Sequence, residues 1–225
     1  NTSYQNLLDV RNLSDYMLIN FYIGNIDWDK NNWLAVRNRV KNEHGFKFFC
    51  WDAENAMNDI NENIVDINNQ DNPSSLFTQL RKNPEFQLYF ADRIHKHFFN
   101  GGALTASETR TRYTNFARVI DKAMLAESAR WGDYRRDVDP GGKTYYLYTR
   151  DEHWLNRVDY MQSFYLPQRS AIVLDQLKEE GLYPDIEAPV FSQHGGEFDS
   201  LVDLTITADA EEIYFTMDDS DPREP

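Results

Sequence analysis

Cysteine is nearly missing from this sequence: Cys50 is the only one in 225 residues, so no internal disulfide can hold the fold together. A lone thiol within Phe48-Phe49-Cys50-Trp51 reads as a small buried hydrophobe, not a nucleophile. Basic residues are also scarce, with 23 Lys and Arg against 37 Asp and Glu for a net charge of −14. Such a balance repels phosphate backbones, argues against nucleic-acid and anionic-membrane binding, and suits a cationic partner. No apolar run reaches the ~20 residues needed to span a bilayer, and no signal-peptide pattern is present. A glycine-rich phosphate loop and a Walker motif are both lacking in these residues. What the chain has in quantity is aromatic side chains, at 14% enough to build a sizeable core in one domain with an appendage.

Chemistry concentrates in Asn25-Ile26-Asp27-Trp28-Asp29-Lys30-Asn31-Asn32-Trp33 and in Trp51-Asp52-Ala53-Glu54. Asp27 and Asn32 stand five apart, the spacing that in protein kinases separates the catalytic-loop aspartate from a metal-holding asparagine. Asp52 ends an apolar, strand-like run, where a second metal ligand belongs. Magnesium takes oxygen from carboxylates and amide carbonyls while keeping waters and substrate phosphates, which suits Asn32 and Asp52 as ligands. An acceptor hydroxyl needs a nearby carboxylate not consumed by the metal, and Asp27 is that candidate base. The same spacing also suits an ordinary Asx-rich turn. Asp27, Asp29 and Asn31 mimic the start of a calcium loop, but its sixth position is Asn32 and its twelfth is Asn38, so an EF-hand is not expected.

The succession YIGNIDWDKNNW, GFKFFCWDAEN, NPEFQLYFADRIHKHFFNGGALT, ESARWGD and GLYPDIEAPVFSQHGGE resembles the bacterial CotH-type family, atypical kinases named for a spore-coat protein. The resemblance runs over nearly the whole chain and is closer to large multi-domain members. It implies a catalytic Asp27, magnesium ligands Asn32 and Asp52, and ATP with Mg or Mn as cofactors. It further implies a protein substrate with a Ser or Thr acceptor and a bacterial cell-surface or extracellular location. Glu54 stands where relatives often have a polar residue. Because the chain opens at Asn1 just ahead of the catalytic segment, it reads as part of a longer protein whose nucleotide-gripping first lobe lies upstream. By itself the chain is then expected to be nearly inactive.

The fold class expected is α+β, mainly α, with a small sheet at the site. Ser14 reads as the cap of a first helix that Gly24 stops, delivering the Asn25 to Asn32 loop. Trp33 to Val40 and Phe46 to Trp51 read as a hairpin turning at residues 42–45, which returns Asp52 toward Asp27. Residues 58–72 read as a solvated irregular loop. Asn83-Pro84 opens a core helix ending at Gly101-Gly102, on which His95 and His97 are structural because two residues apart they face different ways. Thr105 to Glu108 is a capping box for one long helix toward Arg130. Glu127 to Asp133 closes it as an ion-pair network or a substrate contact. A turn spans Asp137 to Lys143. Asp151 caps a helix to Phe164, and another runs from Gln168 to Glu180 before Gly181.

From Ala188-Pro189 the pattern turns to alternation over Val190 to Ser192, Leu201 to Ala208 and Glu212 to Met217, reading as strands. This part resembles the start of the chitobiase/hexosaminidase C-terminal β module, cut short. The expected domains are 1–188, kinase-like, and 189–225, a truncated β module. Two function classes follow: a kinase transferring the ATP γ-phosphoryl group to protein, or a catalytically inactive cell-surface or carbohydrate-associated module.

Overall fold

The computed structural model describes residues 7–40, 45–142, 145–194, 197–218 and 220–223. The chain divides into two compact units, Asn1–Tyr183 and Pro184–Pro225. The first is mainly helical with one two-stranded ribbon, an α+β arrangement dominated by helix.

Helix α1 (Val10–Ile23) runs through the centre of the first unit. Leu13, Met17, Leu18, Phe21 and Tyr22 are all essentially solvent-free. Its cap is Asp9, whose Oδ1 accepts the Asn12 N–H at 2.9 Å. Ser14, the expected cap, sits inside the helix and donates its hydroxyl back to the Val10 carbonyl at 2.9 Å. A Ser followed by Asp looks like a cap, but the Asp9 carboxylate stands one turn earlier and takes the orphan donor first.

Strands β1 (Trp33–Val36) and β2 (Lys47–Cys50) pair antiparallel, Trp33 opposite Cys50. The strands are shorter than the expected Trp33 to Val40 and Phe46 to Trp51, and turn residues 41–44 lie outside the described residues. The ribbon is fastened to α1 by Asn12, whose side-chain oxygen accepts the Phe48 N–H at 2.5 Å while its amide donates to the Phe48 carbonyl at 3.2 Å. Gly45 permits the approach just before β2: a Cβ there would lie 2.2 Å from the Leu8 nitrogen. Cys50 is half-buried against the core, and burial pushes its thiol pKa up.

The interval 51–72 has no regular element, yet Ile60, Ile64 and Val65 are buried, so it is part of the core and not the solvated excursion expected for 58–72. Helix α2 (Pro73–Leu80), which was not among the expected elements, follows. Helix α3 (Pro84–Phe98) carries Phe86, Phe90, Ile94 and Phe98 into the core, and Asn83 caps it through the Glu85 N–H. Phe77, Phe86 and Phe90 form an aromatic cluster with centroids 4.8 to 6.1 Å apart. His97 joins Arg93 on Asp15, and His95 meets the Tyr183 hydroxyl at 2.9 Å, so both histidines have structural partners.

Helices α4 (Ala106–Ile120) and α5 (Ala123–Trp131) replace the single long helix expected. The break falls at Asp121, whose carboxylate is gripped by Arg150 at 2.6 and 3.1 Å and by the Trp154 indole N–H at 3.3 Å. The capping box does not form: the Thr105 hydroxyl donates to the Gly102 carbonyl at 2.9 Å instead of accepting from the helix. At the end of α5, Arg130 stacks on Trp131, whose ring is edge-on to Tyr134. A π-turn follows at Tyr134–Val138. From Arg150 to Glu179 the chain is continuously helical, with π-turns Arg150–Trp154 and Met161–Tyr165 flanking α6 (Leu155–Tyr160) and preceding α7 (Leu166–Glu179). Thr149, not Asp151, caps this run by accepting the Glu152 N–H at 3.1 Å. The two helices expected here are thus one, because π-turns absorb the change of phase without breaking the rod.

In the second unit β3 (Val190–Phe191) pairs antiparallel with β4 (Ile206–Thr207), and the expected strand at Glu212 to Met217 is absent among the described residues.

Candidate functional site

The loop that leaves α1 alternates buried anchors with side chains left available. Gly24 closes the helix at φ +55°, a left-handed position, and a Cβ there would lie 2.9 Å from the Glu62 side chain. Asn25, Trp28 and Asp29 are buried; Asp27, between them, is half-buried. Trp28 meets Tyr16 edge to face at 5.4 Å, locking the loop onto α1. Asp29 is 2% exposed and accepts three hydrogen bonds: Ser74 N–H at 3.0 Å, Ser74 hydroxyl at 2.6 Å and Asn69 amide at 2.7 Å. Asn72 itself gives α2 no side-chain cap, and Asp29 supplies one from across the fold. With Trp28 anchored on Tyr16 and Asp29 on Ser74 and Asn69, Asp27 is left half-buried and free for other partners.

Two amides hold it there. Asn32 Nδ2 donates to Asp27 Oδ1 at 2.9 Å, and Asn55 Nδ2 donates to Asp27 Oδ2 at 2.9 Å. Asn32 also donates to the backbone carbonyl of Asp52 at 3.2 Å, while its own carbonyl accepts the Trp51 N–H at 3.2 Å. The sequence-predicted set therefore meets at one place: Asp27 and Asn32 by direct side-chain contact, Asp52 through its backbone. The Asp52 side chain is exposed and makes no hydrogen bond to Asp27 or Asn32 among the described residues. Asp52 has φ +53° and Met57 φ +58°, so two non-glycine residues in the left-handed region bracket the segment that carries Glu54 and Asn55. Glu54 is exposed, with Oε1 3.4 Å from the Asn55 amide.

Both loops hang from one buried cation. Arg169 on α7 is 0% exposed and donates to four carbonyls: Tyr22 at 2.7 Å, Phe21 at 2.8 Å, Ile60 at 2.5 Å and Glu62 at 2.9 Å. The first two are carbonyls of the last turn of α1, just before the Asp27 loop; the others lie beyond Asn55. Burial pushes the guanidinium pKa down, but such a group stays charged. Met57 N–H reaches the Ile23 carbonyl at 2.7 Å, and Arg157 donates to the Met57 carbonyl. Sequence analysis assigned no role to Asn55 or Arg169, because their partners, a carboxylate and four carbonyls, are distant in sequence.

The donor set fits a hard cation. With its Nδ2 committed twice, Asn32 has no hydrogen bond on Oδ1 among the described residues, and the Asp52 carboxylate is likewise uncommitted. An amide oxygen and one carboxylate, with substrate phosphate completing the shell, match the sparse protein ligation magnesium accepts. Among the described residues no group of three His, Cys, Asp or Glu side chains is placed to hold a metal. No helix of the described residues is long and apolar enough to cross a membrane.

The family model described as CotH kinase protein matches residues 1–173. No curated protein and no solved structure matches the chain.

Proposed function

This chain belongs to the CotH kinase protein family, and we propose that it carries the catalytic segment of a protein kinase that moves the γ-phosphoryl group of ATP to a Ser or Thr hydroxyl. The observation that supports this most directly is the Asp27 carboxylate fixed by two neutral amides, Asn32 and Asn55. A carboxylate oriented by uncharged donors keeps its negative charge and a free lone pair on each oxygen, which is what a base for an alcohol needs. Asp27 accepts the proton of the acceptor hydroxyl as that oxygen bonds to the γ-phosphorus, and the bond from phosphorus to the bridging oxygen breaks to release ADP. Asn32 Oδ1 and Asp52 would hold Mg or Mn, which when bound neutralises charge on the phosphates. Asn32 thus joins the two functions, one amide end on the base and the other toward the cation. The net charge of −14 favours protein acceptors with basic surroundings.

Incubating the full-length protein with labelled ATP and magnesium or manganese tests the reading. Asp27→Ala and Asp52→Ala should each reduce phosphate incorporation into protein at least about a hundredfold, the scale of acid–base groups. A folded full-length protein that binds no nucleotide and labels nothing, itself included, would replace the kinase with an inactive binding module.

A further inference from the structure

Resting on the kinase reading, we infer that Asn55 is a positioning residue for the reaction, acting through Asp27 and coupling the base to the segment that carries Asp52. Three observations support it. Asn55 Nδ2 lies 2.9 Å from Asp27 Oδ2, a direct contact between residues 28 apart in sequence. That oxygen is the one Asn32 does not reach, so the carboxylate plane is fixed at both ends only when both amides are present. The segment holding Asn55 is bracketed by Asp52 and Met57, both with φ in the left-handed region that non-glycine residues seldom enter, and Met57 is the less tolerant of the two. A backbone held in that conformation at both ends is over-determined by its surroundings, here by the Met57 N–H on the Ile23 carbonyl and Arg157 on the Met57 carbonyl. The result points the amide at Asp27 Oδ2, the nearer of the two carboxylate oxygens it meets, the other being Glu54 Oε1 at 3.4 Å.

Removing Asn55 leaves Asp27 tethered through Oδ1 alone and free to swing about its χ2, off the line to the acceptor hydroxyl. Misplacement on that scale slows a positioned reaction without changing how ATP is gripped. Asn55 makes no hydrogen bond to Asn32 or to the Asp52 side chain among the described residues, so its loss should fall on the chemical step.

The test uses steady-state phosphate transfer by the full-length protein with Asn55→Leu, which keeps the size and loses the donor, and Asn55→Asp, which sets a second carboxylate against Asp27. For Asn55→Leu, kcat should fall roughly 10- to 100-fold with KM for ATP and Mn2+ affinity within about twofold of wild type. Asn55→Asp should lose at least as much. If Asn55→Leu does not fold, the isosteric Asn55→Asp carries the measurement. Wild-type activity abolished by Asp27→Ala but retained within twofold in the folded Asn55 variants would overturn this inference and leave the kinase reading standing. Losses that appear in KM for ATP with kcat unchanged would also overturn it, since they would place Asn55 in nucleotide binding. A wild-type protein that transfers no phosphate overturns the kinase reading, and this inference with it.

Discussion

Helices α1 and α4 are nearly equal in length, 14 and 15 residues, yet α1 buries nine side chains and α4 only Thr109 and Ala117. Phe116 and Val119 on α4 are 71% and 77% exposed, and α5 buries none of its residues. The difference shows where rigidity is concentrated. The site hangs from the densely packed helix, whose end is clamped by Arg169 and whose exit loop is pinned by Trp28 and Asp29, whereas the helices from Ala106 to Trp131 contribute far less buried surface. The proposed base and cation ligands would need such a support, because a site built on packed elements is held more closely than one on loosely packed ones.

The comparison breaks most severely at Arg169. Arg169→Met would leave the Tyr22 and Ile60 carbonyls without a donor and the Phe21 and Glu62 carbonyls with only the longer contacts from the Gly24 N–H and the Gln176 amide, and at about 1–3 kcal/mol for each unsatisfied group the first unit should lose at least about 2 kcal/mol or fail to fold. Thermal unfolding reads this directly, and a variant with near wild-type Tm would refute the clamp. Next comes a matched pair of truncations: Met17→Ala, in a fully buried position, should cost about 2–5 kcal/mol, and Phe116→Ala within about 0.5 kcal/mol. Equal costs in denaturant melts would mean that α4 is covered in the native protein. Asp29→Asn keeps the shape but replaces one acceptor oxygen by a donor facing other donors, and should cost about 1–3 kcal/mol.

The smallest effect is pH-dependent. Burial alone raises the Asp15 pKa, but hydrogen bonds from His97 and Arg93 outweigh it and hold the carboxyl below its ordinary 3.8. The folded state therefore binds this proton less readily than the unfolded state, so the stabilisation is present above pH 3.8 and disappears as pH falls through the lower folded value. The pair is partly solvated and is worth about 1 kcal/mol or less. In acid melts the stability gap between wild type and Asp15→Asn should close below pH 4; a gap that widens there would contradict the assignment.

Much of this was legible in the sequence where the signal was local. Gly24 as a stop, Asn83-Pro84 as a helix start, and the return of Asp52 toward Asp27 on a short ribbon all follow from turn and cap chemistry or from alternation. The Asp27 and Asn32 spacing likewise announced their contact, since five residues closed by the Asn32 N–H on the Trp28 carbonyl bring the two side chains together. What escaped was non-local. Asp9 displaced Ser14 because a cap is decided by which oxygen meets the orphan donor first. Asp29 became a buried acceptor only because Ser74 and Asn69 arrive from 45 and 40 positions away. Arg169 and Asn55 carry no local pattern, since their partners are carbonyls and a carboxylate that the fold brings to them. The Asn-rich interval looked solvated because its buried Ile60 and the adjacent Ile64 and Val65 are set among polar residues at no regular period.

The central claim is that Asn32 and Asp52 hold the cation while Asp27 is left to take the proton. A crystal structure of the full-length protein with Mg2+ and a non-hydrolysable ATP analogue tests it most directly. The account predicts Mg2+ within about 2.0–2.1 Å of Asn32 Oδ1 and an Asp52 carboxylate oxygen, with Asp27 outside the inner shell and still bonded to Asn32 and Asn55. Mg2+ bound elsewhere, or ligated by Asp27 with Asp52 turned to solvent, would contradict it.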